Sequence, residues 1–243
     1  MNNAIFVTGG AKRIGKAILL HFHNLGWDVI FHYRSSNSSA ESLVDELNKI
    51  RKNSCYAYRA DLDNLDELNE MCQLIAKRHK NLTALVNNAS TFYSKAIDEI
   101  TEADWDALIS SNLKAPIFIC KNLGSLLKMN KGTIVNMGDI YAELGLANYT
   151  VYASAKAGLL NLTKSLAKEL APNITVNAVS PGIILWDENN PPDEEKQKQM
   201  LLEVPLKRMG NENDIVSTVD YLIRKNRYMT GRNINVDGGK SLG

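Results

Sequence analysis

The chain has 243 residues, a length that suits one large α/β domain with a substantial buried core. Its 28 basic and 27 acidic side chains leave a net charge of +1, so no basic excess points to nucleic acid or an anionic membrane. The 3 cysteines, Cys55, Cys72 and Cys120, are too few and too scattered for a disulfide framework or a zinc site, and read as buried thiols in a reducing cytosol.

In chain order, "AIFVT" (4–8) reads as a strand and "IGKAILLHFHNLG" (14–26) as a helix closed by Gly26. The chain enters that first strand with no basic leader and apolar run before it, which predicts no signal peptide and a cytoplasmic protein. "DVIFHY" (28–33) is a second strand, and "AESLVDELNKIRK" (40–52) an amphipathic helix with Leu43, Leu47 and Ile50 at helical spacing. "CYAYRA" (55–60), "LDELNEMCQLIAKRH" (65–79) and "LTALVNNAS" (82–90) continue the strand, helix, strand alternation. A helical region over roughly 103–129 leads to the strand "GTIVNMG" (132–138). A helix over 151–171, the strand "ITVNAVSPG" (174–182) and the closing strand "INVDGG" (234–239) follow. No apolar stretch reaches the roughly 18 residues a membrane span needs.

This alternation implies right-handed crossovers and a parallel sheet covered on both faces. Residues 1–243 are therefore expected to form a single doubly wound, Rossmann-like α/β domain, its ligand crevice at the carboxyl ends of the strands. The most irregular part is "ILWDENNPPDEEKQKQ" (184–199), where Asn-Asn-Pro-Pro breaks regular structure before a charged surface helix. Residues 184–205 read as a substrate lid over the crevice, with a plain surface loop as the alternative.

"VTGGAKRIGKA" (7–17) has the form of a phosphate-binding turn between strand and helix. Gly9 can take backbone angles closed to other residues, and Gly15 lets the helix pack near the sheet. Arg13 stands where many such turns carry a second glycine; it brings fixed charge and five N–H donors toward an anion, and pyrophosphate is the obvious one. At the end of the second strand, "FHYRSS" (31–36) has Arg34 and Ser35, with His32 nearby, and no acid before Glu41. A carboxylate there would bind a ribose 2′-hydroxyl, whereas arginine suits a 2′-phosphate, so NADPH is the expected cofactor.

"YASAK" places Tyr152 and Lys156 at i and i+4 on one helix face. Free tyrosine ionises near pH 10, and an ammonium one turn away favours the phenolate, so a lowered tyrosine pKa is expected. Asp139 stands at the end of a core strand, thirteen residues earlier. His21, His23 and His79 suggest no ligand set, and no metal is expected.

Together "TGGAKRIG" (8–15), "DL" (61–62), "NNAS" (87–90), "SN" (111–112), "YASAK" (152–156), "SPG" (180–182) and "VDGG" (236–239) resemble the short-chain dehydrogenase/reductase family across essentially the whole chain. The resemblance implies that Tyr152 is the proton donor, that Lys156 holds the nicotinamide ribose, and that Asn112 orders a relay water. It implies that Asn88 and Ala89 line the nicotinamide side, and that Ser90, Pro181 and Gly182 also bind the cofactor. Asp61 and Leu62 would line the adenine, Gly9, Arg13, Ile14 and Gly15 the pyrophosphate, and His32, Tyr33, Arg34 and Ser35 the 2′-phosphate. It also implies a homotetramer built through the 103–129 and 151–171 helices, whose Ile117, Phe118, Ile119, Leu159, Leu160 and Leu162 suggest a second apolar surface.

Two departures stand out: Arg13 for glycine, and Asp139 for the family's catalytic serine. Both, with "NNASTFY" (87–93), resemble the pteridine reductase and dihydromonapterin reductase subgroup. That implies reduction of a dihydropterin or dihydrofolate, with Phe92 stacking on the ring, Ser90 and Arg13 bonding it, and Asp139 feeding a proton to nitrogen. In a partly dry crevice the Asp139 pKa is expected to rise. Phe92 as a core aromatic and Asp139 as a strand-end cap are the plainer alternatives. An NADPH-dependent carbonyl reductase, such as one acting on 3-oxoacyl thioesters, accounts equally for the fold, the cofactor and the Tyr152/Lys156 pair. A cofactor-sensing regulator with a vestigial site is a further possibility.

Overall fold

A computed structural model describes residues 2–186 and 191–242. The sheet is built from β1 (Ala4–Val7), β2 (Asp28–Tyr33), β3 (Cys55–Arg59), β4 (Leu82–Asn87), β5 (Thr133–Met137), β6 (Thr175–Pro181) and β7 (Asn233–Val236). All neighbours run parallel, in the order β3-β2-β1-β4-β5-β6-β7. The order in which strands are added reverses between β1 and β4, which opens the crevice at their carboxyl ends. The expected doubly wound α/β fold is present.

The central strands are apolar along their whole length because both faces are covered. In β1, Ile5 and Val7 point to one face and Ala4 and Phe6 to the other, all four at 0% exposure. The first face packs on α1 (Arg13–Asn24) and α2 (Asn37–Ile50), through Ile18, Leu19, Phe22, Leu43 and Leu47. The second packs on α3 (Leu65–Arg78) through Leu68, Met71 and Ile75. Asn64 starts α3 by accepting the Asp66 and Glu67 amides. The three cysteines are buried as free thiols.

The region predicted as one helix over 103–129 is broken. It consists of α4 (Glu102–Ile109), a wide turn at Ser110–Lys114 and α5 (Ala115–Met129). Pro116 has no N–H to return to the carbonyl four residues earlier, that of Asn112, so the α-ladder cannot run through. After β5 come a short α6 (Tyr141–Leu144) and the long α7 (Thr150–Glu169). The surface helix expected after the proline pair is α8 (Glu194–Leu202), capped by Asp193 and with no buried residue. Asn189 and Asn190 of the predicted break lie outside the described residues.

Besides the short α6, the sequence reading missed α9 (Glu212–Asp220), which packs Ile215, Val216 and Val219 on the first face. Its signals were readable. Asn211 and Asp214 form a reciprocal capping box ahead of that apolar spacing.

The supposed second apolar surface is narrower than its sequence suggests. Ile119, Leu159 and Leu160 are 1%, 1% and 6% exposed, because they fill this chain's own core and the contact between helices; Ile117 remains exposed.

Candidate active site

The carboxyl ends of the strands border a cleft of about 640 Å³. At its floor the turn after β1 is shaped by glycine. Gly9 has φ +63, and a Cβ there would sit 3.1 Å from the Ala89 Cα. A Cβ on Gly15 would fall 2.4 Å from the Gly9 carbonyl oxygen, a distance real atoms do not reach. The turn is tied to β4 by Thr8, whose buried hydroxyl accepts the amides of Asn88 (2.8 Å) and Ala89 (2.9 Å). Asn88 donates its side-chain amide back to the Thr8 and Gly9 carbonyls. Thr8 was not singled out in sequence, although it heads the glycine motif. No side chain caps the amino end of α1, and its first residues, Arg13, Ile14 and Gly15, line the cleft.

Arg13 takes φ +52, the left-handed region that its position reserves for glycine in related turns. Its guanidinium donates to the carbonyls of Leu185 (3.5 Å) and Trp186 (3.2 Å), at the start of the predicted lid. Leu185 lines the cleft.

At the other end, Arg34, Asp61 and Leu62 line the cleft, while Tyr33 packs into the core face and Ser35 is exposed away from the lining. The absence of a competing acid beside Arg34 holds along the chain but not in space. Asp63, arriving from the end of β3, stands 3.7 Å from the Arg34 guanidinium. Burial, then the neighbouring Asp61 charge, pushes the Asp63 pKa up. His32 lines the cleft as well, but both of its ring nitrogens are engaged by backbone.

The Tyr152 hydroxyl donates to Asp139 Oδ2 at 2.6 Å, and Asp139 Oδ1 accepts the Tyr141 amide at 2.8 Å. Asp139 is thus both a strand-end cap and the tyrosine's partner. Lys156, 3% exposed, donates to the Met137 carbonyl at 2.9 Å and lies 5.7 Å from the centre of the Tyr152 ring. The expected lowering of the tyrosine pKa is not found. Burial, then the Asp139 charge, drives it well above its ordinary value, since both disfavour a phenolate. Burial lowers the Lys156 pKa to about 8, against the pull of Asp139.

Asn112 sits in the wide turn, 1% exposed. Its side chain is held on both sides: Oδ1 accepts from Ser90 Oγ (2.7 Å), and Nδ2 donates to the Thr91 and Leu108 carbonyls. Phe92 is no core residue. It is 49% exposed, stacked on Tyr149 at 4.6 Å and edge-on to Tyr152 at 4.7 Å. Pro181 lines the cleft; Gly182 supports it from behind, where a Cβ would meet the Asp237 Cα at 2.7 Å.

Comparison with known proteins places this geometry. A family model described as enoyl-(acyl carrier protein) reductase matches residues 9–241. The chain belongs to the short-chain dehydrogenase/reductase family. It is 36% identical to the 3-oxoacyl-[acyl-carrier-protein] reductase FabG of Staphylococcus epidermidis, covering 98% of this chain and 99% of that one. It is 35% identical to the enzyme of that name from Staphylococcus aureus, covering 98% of each. It is also 32% identical to 3-oxoacyl-[acyl-carrier-protein] reductase from Synechocystis, covering 96% and 94%. Among solved structures, a blue fluorescent protein from a metagenomic library in complex with NADPH superposes with a TM-score of 0.90 at 31% identity, covering 98% of this chain and 97% of that one.

These findings correct the substrate expected from Arg13, Asp139 and Phe92. Relatives matched over their full length carry the name of a carbonyl reductase, so the pterin reading falls, and with it the pterin contacts expected of Phe92, Ser90 and Arg13. Two unusual residues and one aromatic weigh less than similarity spread over the whole chain.

Among the described residues, no helix is long and apolar enough to cross a membrane.

Proposed function

We propose that this short-chain oxidoreductase reduces the keto group of 3-oxoacyl thioesters to the 3-hydroxy product, with NADPH as its cofactor. The observation that carries the reading is the full-length similarity to 3-oxoacyl reductases, joined to a tyrosine hydroxyl held in the cleft by Asp139. The cleft suits NADPH: glycines leave no room for a Cβ, the α1 amides are uncapped, and Arg34 stands at the end of β2.

Bound NADPH supplies a hydride. The chain's own residues handle the proton. Tyr152 gives its O–H proton to the carbonyl oxygen as the C=O π bond opens, becoming a phenolate. Asp139, once protonated from solvent, returns a proton along the hydrogen bond it shares with Tyr152. Lys156 sits beside the tyrosine and steadies negative charge there. Asn112 fixes the Ser90 hydroxyl at the cleft wall. Phe92 and Tyr149 offer an apolar wall for an acyl chain near the reacting carbon.

Residues 184–205 belong to this reading as a substrate-side flap. Leu185 lines the cleft, and Val204 anchors the far end at 1% exposure. Residues 187–190 lie outside the described ones. Assembly as a homotetramer is part of the same reading, supported by exposed Trp105 on α4 and Ile117 on α5.

The test is NADPH oxidation in the presence of acetoacetyl thioester. Turnover is expected, falling by roughly 10²–10⁴ in Tyr152→Phe. No consumption of NADPH with either the coenzyme A or the carrier-protein thioester would overturn the proposal.

A further inference from the structure

His32 is placed to do more than line the cleft. It is the fifth residue of β2, in register with Tyr58 of β3. Its Nε2 lies 3.0 Å from the Ala60 carbonyl oxygen, and its Nδ1 lies 3.2 Å from the Gly9 amide nitrogen. A carbonyl can only accept, so Nε2 carries the proton and Nδ1 keeps a lone pair for the Gly9 N–H. The partners therefore dictate one neutral tautomer. The His32 carbonyl also accepts the next amide, that of Gly10, at 3.0 Å. Two successive amides of the glycine turn thus end on this one residue. Burial to 3% exposure disfavours protonation, and the pKa falls to about 4.

The turn needs such a restraint. Glycine loses more conformational freedom on ordering than any other residue, and Gly9 has no side chain with which to hold itself. Its φ of +63 is maintained from one side by Ala89 and Asn88 and from the other by His32. The imidazole links this turn to Ala60, which precedes the cleft residues Asp61 and Leu62.

We propose that His32 is a positioning residue for the dinucleotide: it bonds no phosphate itself, but locks the turn after β1 to the end of β3 so that both halves of the cofactor cleft are preformed. This role rests on the reading of the cleft as the NADPH site. Neither ring nitrogen is free to bond a ligand without giving up one of these two bonds.

The experiment compares wild type with His32→Leu and His32→Gln. His79→Leu serves as the control, since His79 is equally buried but bonds only the Tyr58 hydroxyl on the α3 side. NADPH affinity is read by fluorescence titration, and amide exchange over residues 8–11 is read without cofactor. His32→Leu is expected to weaken NADPH binding roughly tenfold or more, about 1.4 kcal/mol, while kcat at saturating NADPH changes less than about twofold. Its glycine-turn amides are expected to exchange faster. Gln, whose amide offers both a donating NH2 and an accepting carbonyl, is expected to restore part of both. An unchanged dissociation constant and unchanged exchange in a folded His32→Leu protein would overturn the role, as would an equal loss of affinity in His79→Leu. Should the leucine variant fail to fold, full NADPH affinity with accelerated turn exchange in His32→Gln would overturn it as well. Absence of NADPH binding by the wild type would remove the cofactor reading and this role with it.

Discussion

Tyr152 and Asp139 share a hydrogen bond of 2.6 Å in which the phenol is the donor. A carboxylate holds the proton on the tyrosine, whereas a neutral serine would not. The pair sets the pH behaviour of the site. Tyr152 acts as an acid, so reduction is lost as pH rises through its pKa, which burial and Asp139 raise. In Asp139→Asn the charge is gone and the tyrosine pKa falls. The alkaline limb of kcat/KM is then expected to move to lower pH. An alkaline limb that stays in place would show that Asp139 does not govern the tyrosine.

Arg34 and Asp63 stand 3.7 Å apart, the arginine more exposed than the acid. An exposed pair of this kind is worth little to the fold, about 0–1 kcal/mol. Its effect falls on the cofactor, because Asp63 repels a 2′-phosphate and occupies the guanidinium. Asp63→Asn is expected to tighten NADPH binding several-fold and leave NADH nearly unchanged, in a titration of both. Equal effects on the two cofactors would place the 2′-phosphate elsewhere.

Arg13 carries strain and a tether together. Its φ of +52 costs on the order of 1 kcal/mol relative to glycine. Its bonds to the Leu185 and Trp186 carbonyls, and glycine's greater unfolded-state entropy, offset that gain. Arg13→Gly should therefore change the urea midpoint little. Limited proteolysis within 184–205 should quicken. A variant cleaved at the wild-type rate would show that the tether does not restrain this segment.

Acid is expected to unfold the protein early. His32 and His79 ordinarily titrate near 6.5, and burial lowers both to about 4. The unfolded chain therefore binds more protons between these values. Stability is full above about pH 6.5 and declines as pH falls toward 4, by up to roughly 3 kcal/mol for each histidine. Urea midpoints at pH 7 and pH 5 check this, and a flat dependence would contradict it.

The sequence alone determined the strand and helix alternation, and with it the parallel sheet. Apolar runs in β1, β2 and β4 and amphipathic spacing in α2 and α3 are local patterns that report which surface must leave water. It also determined the glycine turn and the Tyr152/Lys156 spacing, since i and i+4 on a helix share a face in any fold. What the tertiary structure decided lies between elements distant in the chain. Asp63 reaches Arg34 only because β3 lies beside β2. His32 finds Gly9 and Ala60 only through the register of three strands. Asp139 raises the Tyr152 pKa because burial removes the water that would otherwise screen it, so the lysine spacing alone pointed the wrong way. Charge and hydrogen-bond effects depend on distance and on exclusion of water, and neither is set until the sheet has assembled.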